Sequence, residues 1–250
     1  MGEERCHFSF MVNGYPVQAS YAQTFIDTVV YPLIEHWRSL AATRKERIVV
    51  FLAAPPAAGK STLSLLFEHL SAMDGKARIQ ALGMDGFHHY QRYILSHSVW
   101  VDGQKRAMKE VKGCPESFDF DRLSVYVRRL KQERCLTWPL YDRSIHDVRD
   151  DAIRVEAPIV VLEGNYLLLD EAPWNQLAVH CDDSIFIFAE EAAVRERLIR
   201  RKMAGGMAPH EALAFCEHSD LRNVRRILKH VLPARHVLQL REGDYHLSKG

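Results

Sequence analysis

Hydrophobic and polar positions divide the chain into two regions, and the pattern changes near residue 45. Beyond this point short uninterrupted apolar runs alternate with stretches that repeat an apolar residue every three or four positions. The runs are typical of parallel strands covered on both faces, and the repeats are typical of amphipathic helices. The predicted strands are 48–53, 79–84, 158–162 and 184–189. This alternation predicts an α/β fold with a parallel sheet flanked by helices and ligands at the carboxyl ends of its strands.

Helices are predicted between these strands from the repeating apolar residues. One spans 60–70, and a second begins after Asp119, because aspartate is a preferred N-cap residue. A third, basic helix is predicted over 193–203, directly after the last strand. Strands 48–53 and 184–189 therefore each lead through a short loop into a helix, as crossovers between parallel strands require.

The N-terminal region has a different pattern. Asn13 and Gly14 separate two short apolar runs, and this dipeptide predicts a tight turn in a β-hairpin. Residues 19–40 carry apolar side chains at helical spacing, so a helix is predicted there, bent or split by Pro32.

Composition agrees with one large globular domain and a small addition. The chain has 250 residues, of which 47% are hydrophobic and 26% are charged, and these fractions are ordinary for a soluble protein. We predict a hairpin-and-helix appendage over 1–44 and a main domain over 45–250.

Charge and cysteine content narrow the class of protein. Lys and Arg number 33 against 32 Asp and Glu, so a protein that mainly coats nucleic acid is excluded and no nucleic-acid partner is expected. The five cysteines are scattered without a C-x-x-C pair, which favours free thiols in a reducing compartment. The charged N-terminus lacks a signal-peptide core, and Glu163 interrupts the longest apolar stretch. We therefore predict a cytoplasmic protein with no membrane partner.

The strongest motif lies between the first predicted strand and the first predicted helix. This is where a phosphate-binding loop must lie, because its backbone N–H groups and the helix N-terminus then face the nucleotide phosphates. In such a loop Lys60 reaches the outer phosphates and the Ser61 hydroxyl ligates Mg²⁺. The predicted nucleotide-binding residues here are Ala54, Pro55, Pro56, Ala57, Ala58, Gly59, Lys60, Ser61 and Thr62. Ala54 replaces the usual first glycine, and the two prolines remove backbone donors.

A carboxylate follows the second predicted strand. Asp85 stands close to the phosphate-binding loop in such a sheet, where it suits either proton abstraction from an attacking hydroxyl or support of Mg²⁺ through water. No Asn-Lys-x-Asp sequence that would read guanine occurs in the chain. A small-molecule kinase is therefore favoured over a GTPase.

These motifs resemble one family of P-loop kinases, which holds uridine kinases, phosphoribulokinases and bacterial pantothenate kinases. The resemblance covers about residues 48–240 and is strongest to bacterial nucleoside/nucleotide kinase-like proteins associated with fructose transport. Besides the phosphate-binding loop, it rests on MDGFHH at 84–89, KGCPESFD at 112–119, WPLYDRSIH at 138–146, VVLEG at 160–164 and RERLIRR at 195–201.

The resemblance implies a role for each matching residue. Asp85 matches the catalytic aspartate and acts with Lys60, while Glu163 matches the glutamate that supports Mg²⁺, so the implied metal set is Ser61, Asp85 and Glu163. Phosphate contacts are implied for a lid at about 193–210, through Arg197, Arg200 and Arg201. Substrate contacts are assigned to His88, His89, Lys112, Phe118, Tyr141, Arg143 and His146. Each role has a structural alternative: a turn or strand-end position for the carboxylates, packing for the rings, and a solvated helix face for the arginines.

The resemblance implies transfer of the γ-phosphoryl group of ATP, with Mg²⁺, to a hydroxyl of a small molecule. Uridine kinases carry an acidic residue where this chain has Gly113, and a base-stacking Phe where it has Arg143. We therefore expect a sugar or another polar or anionic metabolite. The resemblance to kinases associated with fructose transport makes a fructose-like sugar the first choice. A uridine-type nucleoside, pantothenate, and a P-loop ATPase or regulatory switch without small acceptor stay open as alternatives. The oligomeric state stays open too, a homodimer included.

Overall fold

The structure, a computed structural model, describes residues 4–12, 14–101 and 103–248. The strands are β1 (Arg5–Val12), β2 (Tyr15–Ala22), β3 (Ile48–Ala53), β4 (Ile79–Gly83), β5 (Ser98–Val101), β6 (Gln104–Ala107), β7 (Leu136–Asp142), β8 (Asp147–Val155), β9 (Ile159–Gly164), β10 (Asp183–Ala189), β11 (His236–Arg241) and β12 (Asp244–Leu247). The α-helices are α1 (Gln23–Phe25), α2 (Tyr31–Thr43), α3 (Lys60–Ser71), α4 (Gln91–Ser96), α5 (Phe120–Gln132), α6 (Glu191–Ala204), α7 (Pro209–Phe215) and α8 (Leu221–Lys229). No described helix has the length and apolar character needed to cross a bilayer.

A six-stranded sheet in the order β12-β11-β10-β3-β9-β4 forms the centre of the fold. Every neighbouring pair is parallel except β11 with β12, so the predicted α/β parallel sheet is confirmed. Because β3, β4, β9 and β10 run in the same direction, the segments that follow them emerge at one edge of the sheet.

The apolar runs predicted as strands alternate between two cores. Ile48, Val50 and Leu52 of β3 contact the core that contains α2 and α3, while Val49 and Phe51 contact the core on the α5 side. Both faces of the sheet are therefore covered, which explains why β3 and β9 are apolar without alternation.

The predicted N-terminal hairpin is present, with β1 and β2 antiparallel and Val12 opposite Tyr15. Asn13 lies outside the described residues, and Gly14 follows it with φ of 86°. The predicted start of the helix at residue 19 is wrong, because β2 continues to Ala22 and pairs there with Arg5. Cross-strand pairing outweighs the helical spacing of the apolar residues in this segment.

Pro32 does not split the helix that follows. The backbone stays helical from Gln23 to Thr43, and residues 26–30 form a π-helical turn whose last bond runs from the Tyr31 N–H to the Ile26 carbonyl. A proline cannot donate to the carbonyl four residues earlier and clashes with it, and a wider turn just before the ring relieves that conflict. The division between 1–44 and 45–250 stays a prediction, although both parts contribute to the same core.

Trp37 links the N-terminal helix to the sheet. Its indole Nε1 donates to the Asp183 carboxylate at 2.6 Å, and both residues are buried. Burial acts to raise the pKa of Asp183, but hydrogen bonds from His236 and Trp37 hold it below its usual value. The ionised carboxylate is therefore stabilised by hydrogen bonds, and the bond from the Trp37 indole is shorter than those of the Ser184 N–H and His236.

We expect Trp37→Phe to lower the free energy of unfolding by about 3 kcal/mol, since a buried charge loses a hydrogen bond and a smaller ring leaves a gap. Urea unfolding at pH 7 measures this, with Trp100→Phe as control, because Trp100 is 68% exposed and its change should cost under about 0.5 kcal/mol. Because the pKa of Asp183 is lower in the folded than in the unfolded protein, its ionised form stabilises the fold above the unfolded pKa, and this stabilisation is lost as the pH falls. The difference in unfolding free energy between wild type and Trp37→Phe should therefore shrink below about pH 4. Equal urea midpoints for wild type and Trp37→Phe would contradict the assignment.

Candidate active site

Four strand ends bring the predicted site residues to one edge of the sheet. The phosphate-binding loop follows β3, Asp85 follows β4, and α6 with its arginines follows β10. Glu163 lies near the end of β9, in register with Leu52 of β3 and Gly83 of β4. The parallel sheet thus assembles residues that are more than a hundred positions apart in the sequence.

The phosphate-binding loop joins β3 to α3 without strain at its first position. Within 54–62 the left-handed backbone conformations fall at Ala57, with φ of 64°, and at Gly59, with φ of 91°. Ala54 is buried and has no positive φ, so alanine fits where the usual motif has glycine. The helix begins at Lys60, and its first amides face the hollow of the loop.

Tyr245 of β12 supports this loop from behind. Its hydroxyl donates to the Ala58 carbonyl at 2.8 Å, and burial raises its pKa well above the usual value. A Cβ atom at Gly59 would lie 2.1 Å from the same hydroxyl, so any side chain at position 59 would displace the tyrosine. The glycine is required by this close approach as well as by its backbone conformation. Sequence reasoning missed Tyr245, because nothing near it in the sequence marks a contact with the loop.

Lys60, Ser61 and Glu163 form a connected polar group beside the loop. Ser61 Oγ donates to Glu163 Oε1 at 2.7 Å, and Lys60 Nζ lies 3.8 Å from Glu163 Oε2. Burial raises the pKa of Glu163, the nearby charge of Lys60 lowers it, and the charge of Asp85 raises it again. An additional positive charge at this position would therefore stabilise the ionised glutamate.

Oxygen-bearing side chains beside the loop fit a magnesium ion. No group of three or more His, Cys, Asp and Glu side chains arranged to hold a metal occurs within the described ranges. Ser61, Asp85 and Glu163 nevertheless line one recess, and all three offer oxygen atoms. Mg²⁺ usually takes few protein oxygens and completes its shell with water and nucleotide phosphates, so this donor set suits a magnesium ion that arrives with a nucleotide.

Two clefts meet at the phosphate-binding loop. The outer cleft, of about 620 Å³, lies between the loop, α6 and the β1–β2 hairpin, and its lining includes Ala57, Gly59, Thr62, Arg197 and Arg201. The inner cleft, of about 470 Å³, lies on the other side, and its lining includes Pro56, Asp85, His88, Lys112, Phe118, Tyr141 and His146. Lys60, Arg143 and Arg201 line both clefts. The two clefts therefore adjoin at a position lined by three cationic side chains.

Hydrogen bonds fix the polar side chains of the inner cleft. Lys112 Nζ donates to the Tyr141 hydroxyl at 2.8 Å and to Gln91 Oε1 at 2.9 Å, and burial lowers its pKa. The pKa of Tyr141 is raised, first by burial and then by nearby carboxylates. The half-buried ring of His88 contacts the backbone carbonyl of Asp85 through Nδ1 at 2.8 Å, and desolvation lowers its pKa. The cleft thus presents a lysine and a hydrogen-bonded tyrosine beside Asp85.

His89 and Arg200 line neither cleft, and neither do Glu163 and the loop residues Ala54, Pro55 and Ala58. His89 is stacked on Tyr93, with ring centroids 4.2 Å apart, and Arg200 is paired with Glu196 on a face where its side chain is 69% exposed. Arg197 does reach the loop, where its Nη1 lies 3.5 Å from the Ala57 carbonyl. The roles of these residues, like those of the other predicted site residues, stay predictions.

Several cleft residues were not foreseen from the sequence. Asn165 lines the inner cleft, and its Oδ1 is buried without a hydrogen-bond partner in the described part of the chain. Lys202, which pairs with Asp220 at 2.9 Å, and the buried Asn223 line it as well. A signal existed for Asn165, since it stands two positions after Glu163 at a strand end. None marked α8, whose contribution depends on how the helices after α6 return to the sheet.

Comparison with known proteins agrees with this geometry. The chain is 42% identical over 240 residues to "Uncharacterized protein YggC" of Escherichia coli, and the match covers 95% of this chain and 97% of that protein. It is 30% identical over 202 residues to "Putative uridine kinase C227.14" of Schizosaccharomyces pombe, with 78% and 84% covered. The crystal structure of a "putative fructose transport system kinase" from Silicibacter sp. TM1040 matches with a TM-score of 0.71 at 29% identity, over 80% of this chain and 98% of that one.

The sequence profile of the Phosphoribulokinase / Uridine kinase family matches residues 49–209, a segment that holds the phosphate-binding loop, Asp85 and Glu163. The match to this family implies the use of ATP and Mg²⁺ with a small-molecule substrate. This protein belongs to the phosphoribulokinase/uridine kinase family of P-loop kinases.

Proposed function

We propose that this kinase transfers the γ-phosphoryl group of Mg·ATP to a hydroxyl of a small polar or anionic metabolite, with a fructose-like sugar as first choice. The carrying observation is that the outer and inner clefts meet at Lys60, Arg143 and Arg201. Negative charge on a phosphoryl group in transit between two bound molecules would be stabilised there by fixed cations.

The proposed roles follow from position. Lys60 and the loop amides hold the outer phosphates, and Ser61, Asp85 and Glu163 hold the magnesium ion that accompanies them. Asp85, at the junction of strand end and inner cleft, takes the proton of the acceptor hydroxyl. Arg197 and Arg201, in the predicted lid over about 193–210, contact the phosphates from the opposite side. A closed lid would also keep water from the transferring group.

The chemistry of the inner cleft supports a hydrophilic acceptor. Gly113 lines the cleft with φ of 100°, a conformation that an acidic side chain would adopt only with strain. The Phe118 ring packs against the His88 ring, with centroids 3.9 Å apart. Lys202 Nζ lies 3.9 Å from the centroid of the Phe215 ring. These contacts favour an acceptor bound by hydrogen bonds and positive charge over one stacked as a nucleobase.

The names of related proteins point to two acceptor classes. One solved relative carries the name of a fructose transport system kinase, whereas one sequence relative carries that of a uridine kinase. The sugar is favoured by the cleft chemistry above, and uridine and pantothenate are the alternatives within the same reaction.

The test is ADP release from Mg·ATP with a panel of acceptors. The panel holds fructose and other hexoses, pentoses, sugar acids, glycerate, pantothenate, uridine and cytidine. We expect one sugar or sugar acid to raise the rate of ADP release strongly above the rate with ATP alone. Strong stimulation by uridine would overturn the sugar assignment and keep the kinase, whereas stimulation by no acceptor would favour an ATPase or switch.

Asn165 provides a sharper probe of the acceptor. Because its Oδ1 is buried without a partner, an acceptor hydroxyl that donates to it would satisfy a group that is costly to leave alone. We expect Asn165→Leu to raise the KM for the acceptor about tenfold, the loss typical of one hydrogen bond in a closed site.

The Kd of Mg·ADP, measured by calorimetry, should be unchanged in Asn165→Leu, because Asn165 lines the inner cleft and not the outer one. Asn175→Leu is the matched control, since Asn175 lines neither cleft. An unchanged acceptor KM in Asn165→Leu would remove this residue from the binding site.

A further inference from the structure

The tip of the N-terminal hairpin forms one wall of the outer cleft. Val12, Tyr15, Pro16 and Val17 line this cleft together with residues of the phosphate-binding loop. All four lie before residue 49, where the match to the family profile begins. The outer cleft is therefore built partly by a segment that the family match does not include.

The hairpin is fixed relative to the loop through β12. The Tyr21 ring stacks on Tyr245, with centroids 6.1 Å apart, and Arg5 pairs with Asp244 at 2.8 Å. Tyr245 in turn donates to the Ala58 carbonyl. This chain of contacts runs from the hairpin to the loop, so the two walls of the cleft belong to one packed unit.

The lining of the outer cleft combines charged and apolar parts. Lys60, Arg143 and Arg201 line it where it adjoins the inner cleft, and the hairpin tip adds apolar and aromatic surface. Tyr15 is 55% exposed, so its ring is accessible to a ligand in this cleft. A nucleotide has the matching character, with charged phosphates at one end and a planar apolar base at the other.

We propose that the hairpin tip is the wall against which the nucleobase of the phosphoryl donor packs, with Tyr15 as its aromatic contact. The inference rests on the proposed function, since it takes the phosphates to lie on the P-loop. Contact with an aromatic ring is favourable for any base, because every base has a π face. The hairpin then contributes affinity for the donor, and the residues around Lys60 hold the group that is transferred.

The test compares a ligand that has a base with one that has none. Calorimetry measures the Kd of Mg·ADP and of inorganic tripolyphosphate for the wild type, Tyr15→Ala and Tyr15→Phe. Tyr31→Ala is the control, because this half-exposed tyrosine on α2 lines neither cleft. We expect Tyr15→Ala to bind Mg·ADP about tenfold more weakly, with tripolyphosphate unchanged. Tyr15→Phe, which keeps the ring, should bind both ligands like the wild type.

The remaining outcomes overturn the inference in distinguishable ways. Wild-type affinity of Tyr15→Ala for Mg·ADP would show that the base lies elsewhere. An equal loss for both ligands would show that the hairpin acts on the loop and not on the base. Failure of the wild type to bind either ligand would contradict the proposed function itself, independently of the hairpin.

Discussion

Replacement of Asp85 by asparagine is expected to lower kcat about a thousandfold, within the range that a positioned general base supplies. The amide has the same shape as the carboxylate but does not accept a proton at neutral pH. Asp85 lines both the inner cleft and the recess shared with Ser61 and Glu163, and we propose it as the carboxylate that meets the acceptor hydroxyl. Initial rates of acceptor-dependent ADP release measure the effect.

The affinity for Mg·ADP separates a catalytic role from a binding role in Asp85→Asn. We expect this affinity to fall far less than kcat, because Asp85 is one of three proposed magnesium ligands and Lys60 and the loop amides remain. Asp27→Asn is the matched control, because Asp27 is exposed on the π-helical turn before α2 and should leave kcat unchanged. If Asp85→Asn kept wild-type kcat, another group would have to accept the proton.

Lys60→Met is expected to lower kcat by a factor of about 100 to 1000, the loss typical of removing one fixed positive group from a developing negative charge. Lys60 lies at the junction of both clefts and 3.8 Å from the buried Glu163. Its removal also leaves that glutamate without its cation, so we expect the fold to lose stability. Rates should therefore be measured at a temperature well below the Tm of the variant.

Two further variants interpret the Lys60→Met result. Lys76→Met removes an exposed lysine that pairs with Glu35 and Asp74, and it should leave kcat unchanged. Lys60→Arg keeps the charge but changes its shape, and we expect it to restore only part of the rate. A rate near wild type in Lys60→Met would contradict the placement of the transferring phosphoryl group at this junction.

Much of the central sheet is predictable from the sequence, because its strands are buried on both faces. The segment Ile48–Ala53 is uniformly apolar and forms β3 with the predicted bounds. Asp119 caps α5 as predicted, through a hydrogen bond from the Arg122 N–H to its carboxylate. In both cases the local chemistry and the tertiary environment favour the same structure.

Prediction was weaker where pairing or distant packing decides the structure. The start of the helix at residue 19 was wrong because strand pairing carries β2 on to Ala22. The contact between Tyr245 and the phosphate-binding loop joins residues 187 positions apart, and no local pattern announces it. The motifs correctly placed Asp85 and Glu163 at strand ends, and these strands are neighbours in the sheet. The sequence did not show that Arg200 lies on an exposed face of α6, paired with Glu196 and away from both clefts.

The most direct test of the central claim follows the γ-phosphoryl group itself. The protein is incubated with ATP that carries ¹⁸O in this group and with the acceptor that gives the strongest stimulation, and the products are analysed by mass spectrometry. Because the outer and inner clefts meet at Lys60, Arg143 and Arg201, we expect the label in a phosphorylated acceptor, with little in inorganic phosphate. Label found only in inorganic phosphate, with every acceptor, would contradict phosphoryl transfer between the two clefts.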